Sequence, residues 1–422
     1  MSRYENGQKV LIAGGGIVGL CCAYHLTKLG YKVTVVDRDS GYDGASYGNA
    51  GAIAAAEVLP FAGPGLLLKV PRWLFDPVGP LSIRWTHLHH LLPWLYLFLR
   101  SGTRIRSEAG ARALASLLVS AIDDHQHILQ QAGLTDLLQS KGALYVYRSK
   151  RGQEAEESGW NLRNRLGVRF TKLDRAALQE YEPDLGPLAN GGYYVESFAH
   201  YSDPRALVVG LLEMVERMGV RLIADTVKEL DQVGTRVTRV RTNKGAIFET
   251  DNLIIAAGAW SSALSKRLGE PFPLESERGY NTTISNPGVD ISNYVAFVED
   301  HFVMSPLSVG LRIGGAVELA GLKPPPNYDR CRALVKLGQR YVPNLKIENG
   351  RQWMGHRPST PDSLPVISRS VFVKNAFYAF GHGHLGLTLS ATTGRILADL
   401  VSGGSHGLDL TPFRIDRFTE VN

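Results

Sequence analysis

Apolar and polar positions near the start of the chain follow a pattern that predicts a strand, a tight turn, a helix and a second strand. A short apolar run, Val10–Ala13, leads through a glycine cluster into a segment whose apolar residues recur at helical spacing and which stops at Gly30. The next segment, "YKVTVVDRD", alternates apolar and polar residues, and its strand ends at Asp37. These elements in this order predict a βαβ unit.

The pattern changes between Leu66 and His200. Helical stretches such as Ala111–Ala132 are followed by strand-like segments at 142–149 and 191–202. The most hydrophobic segment, "HLLPWLYLFLR", is far shorter than the roughly 20 residues that a helix needs to cross a bilayer. The stretch 66–100 mixes Leu and Trp with basic residues, and two interpretations stay open for it: helices buried between domains, or contact with a membrane surface.

Helix and strand patterns alternate again beyond residue 202. A helix is predicted with Asp203 as its N-cap and Pro204 at its first position. A strand, a three-stranded meander and a buried strand that ends at Gly258 follow it, and antiparallel strands with one helix are predicted over 268–349. The chain then closes with a strand, a glycine turn and a helix. Because these parts interleave, we expect an α/β (α+β) fold whose domains are discontinuous.

Composition and charge narrow the class of protein. The 422 residues exceed one typical core, and the formal charge of +6 is spread along the chain without a run of five basic residues. This charge fits an anionic small molecule or a weak attraction to acidic lipid better than a nucleic-acid groove. Three cysteines cannot build a disulfide framework, and no apolar stretch precedes the first strand. We therefore expect a cytoplasmic protein, with association with the inner face of the membrane left open.

The first glycine cluster carries a dinucleotide-binding pattern. Gly14, Gly16 and Gly19 form GxGxxG between a strand and a helix, and Asp37 ends the second strand. The first glycine permits a tight turn, the second lets a pyrophosphate approach the helix N-terminus, and the third lets helix and strand pack closely. The carboxylate of Asp37 would accept a hydrogen bond from a ribose hydroxyl. The motif does not choose between NAD and FAD, but the small-residue loop 44–55 favours a flavin.

Six motifs together resemble one known family. The segments "LIAGGGIVGL", "SYGNAG", "LIIAAGAWSS", "GGAVELAG", "WMGHRPSTPDSLPVI" and "GHGHLGLTLS" resemble the D-amino-acid dehydrogenases of the D-amino-acid oxidase superfamily of FAD-dependent oxidoreductases, in order from about Lys9 to Val401. The resemblance implies FAD as the cofactor and a Rossmann-type FAD-binding domain with a discontinuous antiparallel-sheet substrate domain. We assign residues 1–64, 201–267 and 350–422 to the first domain and residues 65–200 and 268–349 to the second.

The resemblance also implies which residues hold FAD. The ADP half would lie against Gly14, Gly16, Ile17, Val18, Gly19, Asp37, Arg38 and Val227. The flavin and pyrophosphate would lie against Ser46, Asn49, Ala50, Gly51, Ala257, Gly258, Trp260, Gly383, His384, Leu385, Gly386, Leu387 and Thr388.

The glycine turn at 381–388 also has a physical argument for a flavin. A reduced flavin carries negative charge toward N1 and the C2 oxygen, and a glycine turn that enters a helix offers N–H donors there. Gly381, Gly383 and Gly386 are expected because a β-carbon would crowd the ring.

Four residues are candidates for catalysis and substrate binding. An amino-acid substrate needs a cation for its carboxylate, and Arg357 matches the family's arginine near the flavin, although a structural salt bridge is the alternative. Tyr280 and Arg312 are placed on the substrate sheet, with a core or surface role as the alternative. His384 is a candidate base, with bulk water as the other acceptor of the proton. His356 departs from the apolar residue usual in relatives. No metal is called for, since the flavin carries the redox chemistry.

The expected activity is FAD-dependent oxidation of a D-amino acid, or of a cyclic amine such as D-proline or hydroxy-D-proline, by hydride transfer from the α-carbon to flavin N5. A quinone or an electron-transfer protein is the candidate acceptor. A glycine- or sarcosine-type oxidase that uses oxygen is the alternative within the fold. A flavin-bearing regulatory or tRNA-associated protein is the rival of another class, and the lack of a basic extension argues against it.

Overall fold

The computed structural model describes residues 7–39, 44–64 and 81–419. In these ranges the strands are β1 (Lys9–Ala13), β2 (Lys32–Asp37), β3 (Ala52–Ile53), β4 (Leu81–Ile83), β5 (Leu138–Gln139), β6 (Ala143–Tyr147), β7 (Thr171–Asp174), β8 (Gly191–Val195), β9 (Ala199–Tyr201), β10 (Arg221–Ala224), β11 (Val227–Val233), β12 (Arg236–Thr242), β13 (Ile247–Glu249), β14 (Asn252–Ile255), β15 (Glu275–Ile284), β16 (Tyr294–Phe297), β17 (Phe302–Leu307), β18 (Gly310–Leu319), β19 (Arg351–Ser359), β20 (Val366–Arg369) and β21 (Ala376–Phe380). The α-helices are α1 (Ile17–Lys28), α2 (Ala45–Gly48), α3 (Leu88–Ser101), α4 (Arg104–Leu118), α5 (Ala121–Ala132), α6 (Lys150–Ala155), α7 (Glu157–Arg165), α8 (Arg175–Tyr181), α9 (Pro204–Arg217), α10 (Ser261–Arg267), α11 (Asp329–Tyr341) and α12 (Ser390–Ser402).

A mostly parallel sheet contains the βαβ unit that the sequence predicts. Its strands lie in the order β10–β2–β1–β14–β21–β20, and only the β20–β21 pair is antiparallel. Strand β1 pairs with β2 on one side and with β14 on the other. The carboxyl end of β1 therefore lies between two strands whose connections run to opposite sides of the sheet. Such switch points, at the carboxyl ends of parallel strands, are where open α/β sheets bind ligands.

Helices α1, α9 and α12 belong to the core beside this sheet. A β-carbon on Gly394 would lie 2.6 Å from the carbonyl carbon of Cys21, so this glycine allows the backbones of α12 and α1 to approach closely. Helix α9 begins as predicted: the Asp203 carboxylate accepts hydrogen bonds from the N–H groups of Arg205 and Ala206 at 2.9 and 3.0 Å. All three cysteines are free and buried, in keeping with the expectation that they form no disulfide.

A second, larger sheet runs β19–β15–β18–β17–β16–β6–β8–β7, with β4 added beside β18. Most of its pairs are antiparallel, as expected, but β16 pairs with β6 and β18 with β4 in parallel. The sheet is therefore mixed, because strands from two distant parts of the sequence meet in it. Helix α11 packs on its β15 and β18 strands.

Strand β19 shows how the two parts of the molecule join. Our assignment gives 350–422 to the FAD-binding part, yet β19 extends the larger sheet by pairing with β15 along its whole length. The other strands of that sheet come from the ranges 65–200 and 268–349. The division into two domains stays a prediction, and β19 connects them.

The expected helical stretch over residues 111–132 is two helices, α4 and α5, which are separated at Val119 and Ser120. The part of the Leu66–Arg100 segment that precedes residue 81 lies outside the described residues. In the remainder, Leu91 and Trp94 of α3 are buried, whereas Leu92 and Tyr96 are exposed. Across the described ranges, every helix is too short or too polar to traverse a lipid bilayer.

Candidate active site

A cavity of about 1990 Å³ opens beside the carboxyl ends of β1 and β14 and extends to the face of the larger sheet. Ligand pockets for drug-sized molecules occupy about 300–1,000 Å³, so this space suits a larger ligand together with a second, smaller one. Its wall collects segments that are distant in sequence: the first glycine turn, the loop after α2, the turn after β14, strands β15 and β19, and the C-terminal glycine turn.

The first glycine turn is shaped by close contacts. Gly14 has φ +116°, and a β-carbon there would lie 2.3 Å from the carbonyl oxygen of Ala256 on the neighbouring strand. A β-carbon on Gly19 would lie 2.0 Å from the carbonyl oxygen of Gly14. Gly14 therefore allows the turn, and Gly19 allows α1 to approach it. Gly14 lies on the cavity wall and Gly19 lies behind it.

The start of α1 faces the cavity. Gly16 is its N-cap and offers no side chain to the first turn, while the N–H of Ile17 donates to Ser46 Oγ at 2.9 Å. Val18 also lines the cavity. The other N–H groups of this first turn, with the positive end of the helix dipole, are positioned for an anionic group.

Asp37 closes the same end of the cavity. Its carboxylate accepts hydrogen bonds from the N–H of Gly15 at 2.6 Å and from that of Asp39 at 3.0 Å. Burial raises the pKa of this carboxyl, and the two N–H bonds oppose the rise. Each carboxylate oxygen keeps a second lone pair, so the group can also accept a hydroxyl.

An aromatic platform adjoins Asp37. The Trp260 ring has two neighbours. The guanidinium carbon of Arg38 lies 3.4 Å from the centroid of this ring, and the centroid of the His356 ring lies 5.3 Å from it. Val227, Ala257 and Gly258 also lie on this part of the wall. The platform supplies flat apolar surface next to a carboxylate, which is what a nucleoside requires.

The loop after α2 is held by its own polar groups. The Asn49 amide donates to the carbonyl of Ser46 at 2.7 Å, and its oxygen accepts from the N–H of Gly51 at 2.8 Å. Ser305 Oγ donates to the carbonyl of Ala50 at 2.6 Å. Ser46, Asn49 and Ala50 line the cavity and Gly51 lies behind them.

The C-terminal glycine turn is fastened to that loop by Thr388. Its hydroxyl accepts from the N–H of Ala54 at 3.0 Å and lies 3.2 Å from the carbonyl of Ala52. Gly383, His384, Gly386 and Leu387 line the cavity, whereas Leu385 and Thr388 are buried behind the turn. The two loops therefore act as one unit along this side of the cavity.

The expected reason for the glycines of this turn needs correction. Gly381 has φ +80°, and a β-carbon there would lie 2.6 Å from the methyl group of Thr360, so its conformation and packing require glycine. Gly383 has φ +54°, with ample room around it. At Gly386 the nearest atom, the β-carbon of His382, would be at an ordinary 3.7 Å. Packing against Thr360 and its positive φ account for Gly381, whereas Gly383 and Gly386 face open cavity space, and for these two the crowding of a flavin ring stays a prediction.

Arg357 stands on the cavity wall with one partner. Its Nη1 donates to Glu277 Oε1 at 2.8 Å across the β15–β19 pair, and Glu277 Oε2 accepts from Ser359 Oγ at 2.9 Å. The guanidinium lies over Gly279, where a β-carbon would be only 2.5 Å from Nη2. The Arg357 side chain is 29% exposed, so the guanidinium is anchored on one side and has donors left for a ligand.

Tyr280 and Arg312 have other partners. The Tyr280 hydroxyl donates to Glu318 and accepts from the N–H of Asn327 at 3.0 Å, and burial raises its pKa to about 12. Arg312 donates to the carbonyl of Asn49 and to Thr283 Oγ1 at 2.9 Å, and it lies outside the cavity wall. The structure thus does not bring Arg312 together with Arg357. It joins β18 to the loop after α2.

Three histidines near the turn are neutral at pH 7. Burial lowers the pKa of His384, whose ring centroid lies 4.4 Å from that of Phe61 on the cavity wall. Burial also lowers the pKa of His356 to about 4 and that of His382 to about 3. His382 is bonded to Thr393 Oγ1 at 3.0 Å, and His356 to Ser276 Oγ at 2.7 Å, so His384 has the freest ring of the three.

Comparison with known proteins assigns the chain. The family model described as FAD dependent oxidoreductase (DAO) matches residues 9–400. The chain belongs to this family.

Relatives support the family assignment, and solved structures share the fold. A D-amino-acid oxidase of Bradyrhizobium diazoefficiens is 38% identical over 98% of this chain and 99% of its own length. A D-amino acid dehydrogenase of Paramagnetospirillum magneticum is 31% identical over 97% of this chain and 99% of its own. The crystal structure of glycine oxidase from Geobacillus kaustophilus superposes with a TM-score of 0.76 at 20% identity, covering 98% of this chain and 99% of that one. An L-proline dehydrogenase from P. horikoshii superposes with a TM-score of 0.73 at 20% identity, covering 98% of each chain.

The residues present fit FAD, the cofactor of the family. The uncapped start of α1 suits the pyrophosphate, Asp37 suits a ribose hydroxyl, and the small-residue loop and the glycine turn leave a backbone-lined slot for the flavin. Seventeen of the residues expected to hold FAD line the cavity: Gly14, Gly16, Ile17, Val18, Asp37, Arg38, Ser46, Asn49, Ala50, Val227, Ala257, Gly258, Trp260, Gly383, His384, Gly386 and Leu387. Gly19, Gly51, Leu385 and Thr388 support that wall from behind.

Four cavity residues were missed by the sequence analysis. Glu277 lies three residues before Tyr280, in a motif where only the tyrosine was chosen. Glu57 follows the small-residue loop and accepts a hydrogen bond from the Tyr145 hydroxyl at 2.8 Å, and Arg163 of α7 lies beyond it. No local pattern marks these residues, because their partners are far away in the sequence.

A buried pair behind the two loops was also missed. His125 Nε2 lies 2.9 Å from the carbonyl of Leu387, and the Tyr201 hydroxyl lies 2.8 Å from His125 Nδ1. The N–H of Tyr201 donates to the carbonyl of Gly51 at 2.7 Å. One buried chain of hydrogen bonds therefore reaches both loops that line the flavin slot.

Proposed function

We propose that this protein oxidises a D-amino acid to its imino acid with FAD as the electron acceptor. The observation that carries the proposal is Arg357, a cation anchored by Glu277 on the wall of the cavity that also contains the flavin slot. The names of the D-amino-acid oxidase and dehydrogenase relatives support the same class of substrate.

The chain's own residues would do three things in this reaction. Arg357 binds the substrate carboxylate through the donors that Glu277 leaves unused, and a planar guanidinium favours a two-pronged bond. Tyr145, Phe61 and Trp353 on the cavity wall exclude water from the α-carbon. Neutral His384 can hold a proton released from the substrate amine. FAD supplies the two-electron acceptor, and the protein supplies position and electrostatics.

Anaerobic titration of the purified holoprotein tests the proposal. D-amino acids, including D-proline and hydroxy-D-proline, should bleach the flavin absorbance near 450 nm, a wavelength at which oxidised flavins absorb, whereas their L-enantiomers should leave it unchanged. A protein whose flavin is reduced only by glycine or sarcosine would favour the oxidase alternative. A flavin that no amine reduces would favour the non-catalytic rival. The rate at which oxygen reoxidises the reduced protein separates an oxidase from a dehydrogenase that passes electrons to a quinone or an electron-transfer protein.

We also propose that a patch around α3 contacts the inner surface of a membrane. Trp85, Leu92, Tyr96 and Ile105, in and around α3, are large apolar residues with exposed side chains. The same stretch carries Arg84, Arg100, Arg104 and Arg106, of which Arg104 pairs with Glu108, so its remaining basic side chains would complement anionic lipid.

Sedimentation with vesicles tests this contact. The protein should pellet with vesicles that contain anionic phospholipid and remain in the supernatant with neutral vesicles or at high salt. The double variant Trp85→Ser, Ile105→Ser should lose the binding and keep its flavin. Equal pelleting of both proteins would contradict the contact.

A further inference from the structure

Arg163 is a largely but not fully buried arginine whose guanidinium makes an ion pair and no hydrogen bond among the described residues. Its side chain is 11% exposed, and its guanidinium carbon lies 4.8 Å from the centroid of the Trp160 ring. Nε is shielded from water and unbonded. A carboxylate oxygen, Glu57 Oε2, lies 3.6 Å from Nη2, which is an ion pair but too long for a hydrogen bond.

This arrangement is costly for the protein alone. Arginine stays charged in proteins, and a buried charge is expected to have hydrogen-bond acceptors as well as a nearby opposite charge. Glu57 gives part of the charge compensation, but its Oε1 already accepts from Tyr145. The guanidinium donors at the cavity therefore lack an acceptor that a ligand could supply.

The position of Arg163 identifies which part of a substrate could reach it. Arg163 lines the same cavity as Arg357. Glu57, the ion-pair partner of Arg163, lies in the same cavity-lining segment as Phe61, whose ring contacts His384. A substrate whose α-carboxylate lies on Arg357 therefore shares the cavity with a second guanidinium that has donors to offer.

We propose that Arg163 binds a carboxylate on the substrate side chain, so that acidic D-amino acids are the preferred substrates. The inference rests on the proposed function, since it assumes that the α-carboxylate occupies Arg357. A carboxylate matches the planar donors of a guanidinium better than an amide or a hydroxyl does. Glu57, which also lines the cavity, keeps its ion pair with the guanidinium through Oε2.

Steady-state kinetics on the holoenzyme test the inference. D-Glutamate is compared with D-glutamine and with D-norvaline, which has the same number of carbons and no side-chain carboxylate. The wild-type enzyme should prefer D-glutamate in kcat/KM. Arg163→Met should lower kcat/KM for D-glutamate by about 10- to 100-fold for each charge-assisted hydrogen bond that is lost, and leave D-norvaline nearly unchanged. Arg163→Lys should fall between, and Arg169→Met, an exposed arginine nearby, should match the wild type.

A second measurement does not depend on turnover. Glutarate, a dicarboxylate without an amine, should raise the melting temperature of the wild-type holoprotein more than pentanoate does, and Arg163→Met should abolish the difference. Without ligand, Arg163→Lys should melt close to the wild type, because it keeps the charge opposite Glu57, and Arg163→Met should melt only slightly lower, because it loses a long ion pair and the contact with Trp160 but no hydrogen bond.

The outcomes separate the inference from the proposed function. If D-norvaline and D-glutamate reduce the flavin equally well and Arg163→Met changes neither, the inference is overturned and the proposed function stands. If no D-amino acid reduces the flavin, the proposed function fails and the inference fails with it. A large fall in melting temperature for both Arg163 variants without ligand would mean that the arginine is structural, which also overturns the inference.

Discussion

At the scale of single residues, Arg357 has two roles that substitution can separate. Its bond to Glu277 uses one edge of the guanidinium, and substrate binding would use the donors that remain. Charge-assisted hydrogen bonds are worth about 1.5–3 kcal/mol each. We expect Arg357→Ala to lose roughly 10- to 100-fold in kcat/KM for each lost bond and to keep its flavin. Arg357→Lys should fall between, since it keeps the charge and loses the planar fork.

Rapid-reaction measurement of flavin reduction against substrate concentration, with a melting curve for each variant, checks this expectation. Glu277→Gln is the matched control, because it weakens the anchor and leaves the guanidinium in place. Unaltered substrate affinity and reduction rate in Arg357→Ala, combined with a lower melting temperature, would mean that Arg357 is only a structural salt bridge.

Gly279 offers a subtler change at the same place. A β-carbon there would lie 2.5 Å from Arg357 Nη2 and 2.6 Å from its central carbon, so the guanidinium would have to move. We expect Gly279→Ala to raise KM for the substrate while the affinity for FAD stays as in the wild type. Gly315→Ala is not a suitable control, because a β-carbon there would meet the backbone. Gly386 lines the cavity, and a β-carbon there would make only ordinary contacts with the protein, so we expect Gly386→Ala to weaken FAD binding instead. The opposite pattern of KM and FAD affinity would contradict both placements.

At the scale of elements, the glycine motifs were predictable and the substrate end was not. Gly14, Gly19 and Asp37 lie within one βαβ unit, so their spacing alone implies the turn and the carboxylate that the structure contains. Arg312 shows the limit: its strand was predicted, but the side chain bonds to Asn49 rather than facing the substrate. The sequence of a regular strand predicts that successive side chains point to opposite faces of the sheet. A bulge between Gly279 and Tyr280 in the β15–β18 pair interrupts this alternation, so the face of each side chain could not be predicted there.

The link between the two flavin loops makes Thr388 testable. Its hydroxyl satisfies the buried N–H of Ala54 on the other loop at 3.0 Å. Thr388→Val keeps the shape and leaves that N–H without an acceptor, which costs about 1–3 kcal/mol. We expect weaker FAD binding by roughly 5- to 100-fold, measured by fluorescence titration of the apoprotein. Thr235→Val, at an exposed turn, is the control. Equal FAD affinity of Thr388→Val and the wild type would show that the two loops are positioned independently.

At the scale of the whole molecule, distant segments meet because the sheets bring them together. Glu57 and Tyr145 are 88 positions apart, and His125 reaches Leu387 across 262 positions. Neither pair has a local signal in a single sequence. The same packing excludes water from several histidine side chains. As a result, the stability of the whole fold depends on pH.

Five buried or half-buried histidines have lowered pKa values, which favours their neutral form. Burial is the first cause of the lowered pKa in each: about 4 for His25, His125, His200 and His356, and about 3 for His382. In an unfolded chain a histidine titrates near 6.5. Between pH 6.5 and about 4 the unfolded state therefore binds more protons than the folded state, so the free energy of unfolding falls as the pH falls. Three carboxyls with raised pKa values, Asp37, Glu182 and Asp399, oppose this trend, because the folded state holds their protons more tightly than the unfolded chain does.

We expect the melting temperature to be nearly constant from pH 8 to 7 and to fall steadily from pH 6.5 to 4.5, with excess FAD present. His125→Gln tests the contribution of one imidazole. Glutamine cannot take up a proton, so the unfolded variant binds one proton fewer than the unfolded wild type. The slope of the unfolding free energy against pH should therefore decrease by up to about 1.4 kcal/mol per pH unit. The variant should be less stable than the wild type at pH 7, because the bonds of His125 to Leu387 and Tyr201 are disturbed, and the two proteins should converge in stability as the pH falls. Parallel curves for the two proteins would mean that His125 is not neutral in the folded state, and would contradict the hydrogen-bond arrangement behind the flavin slot.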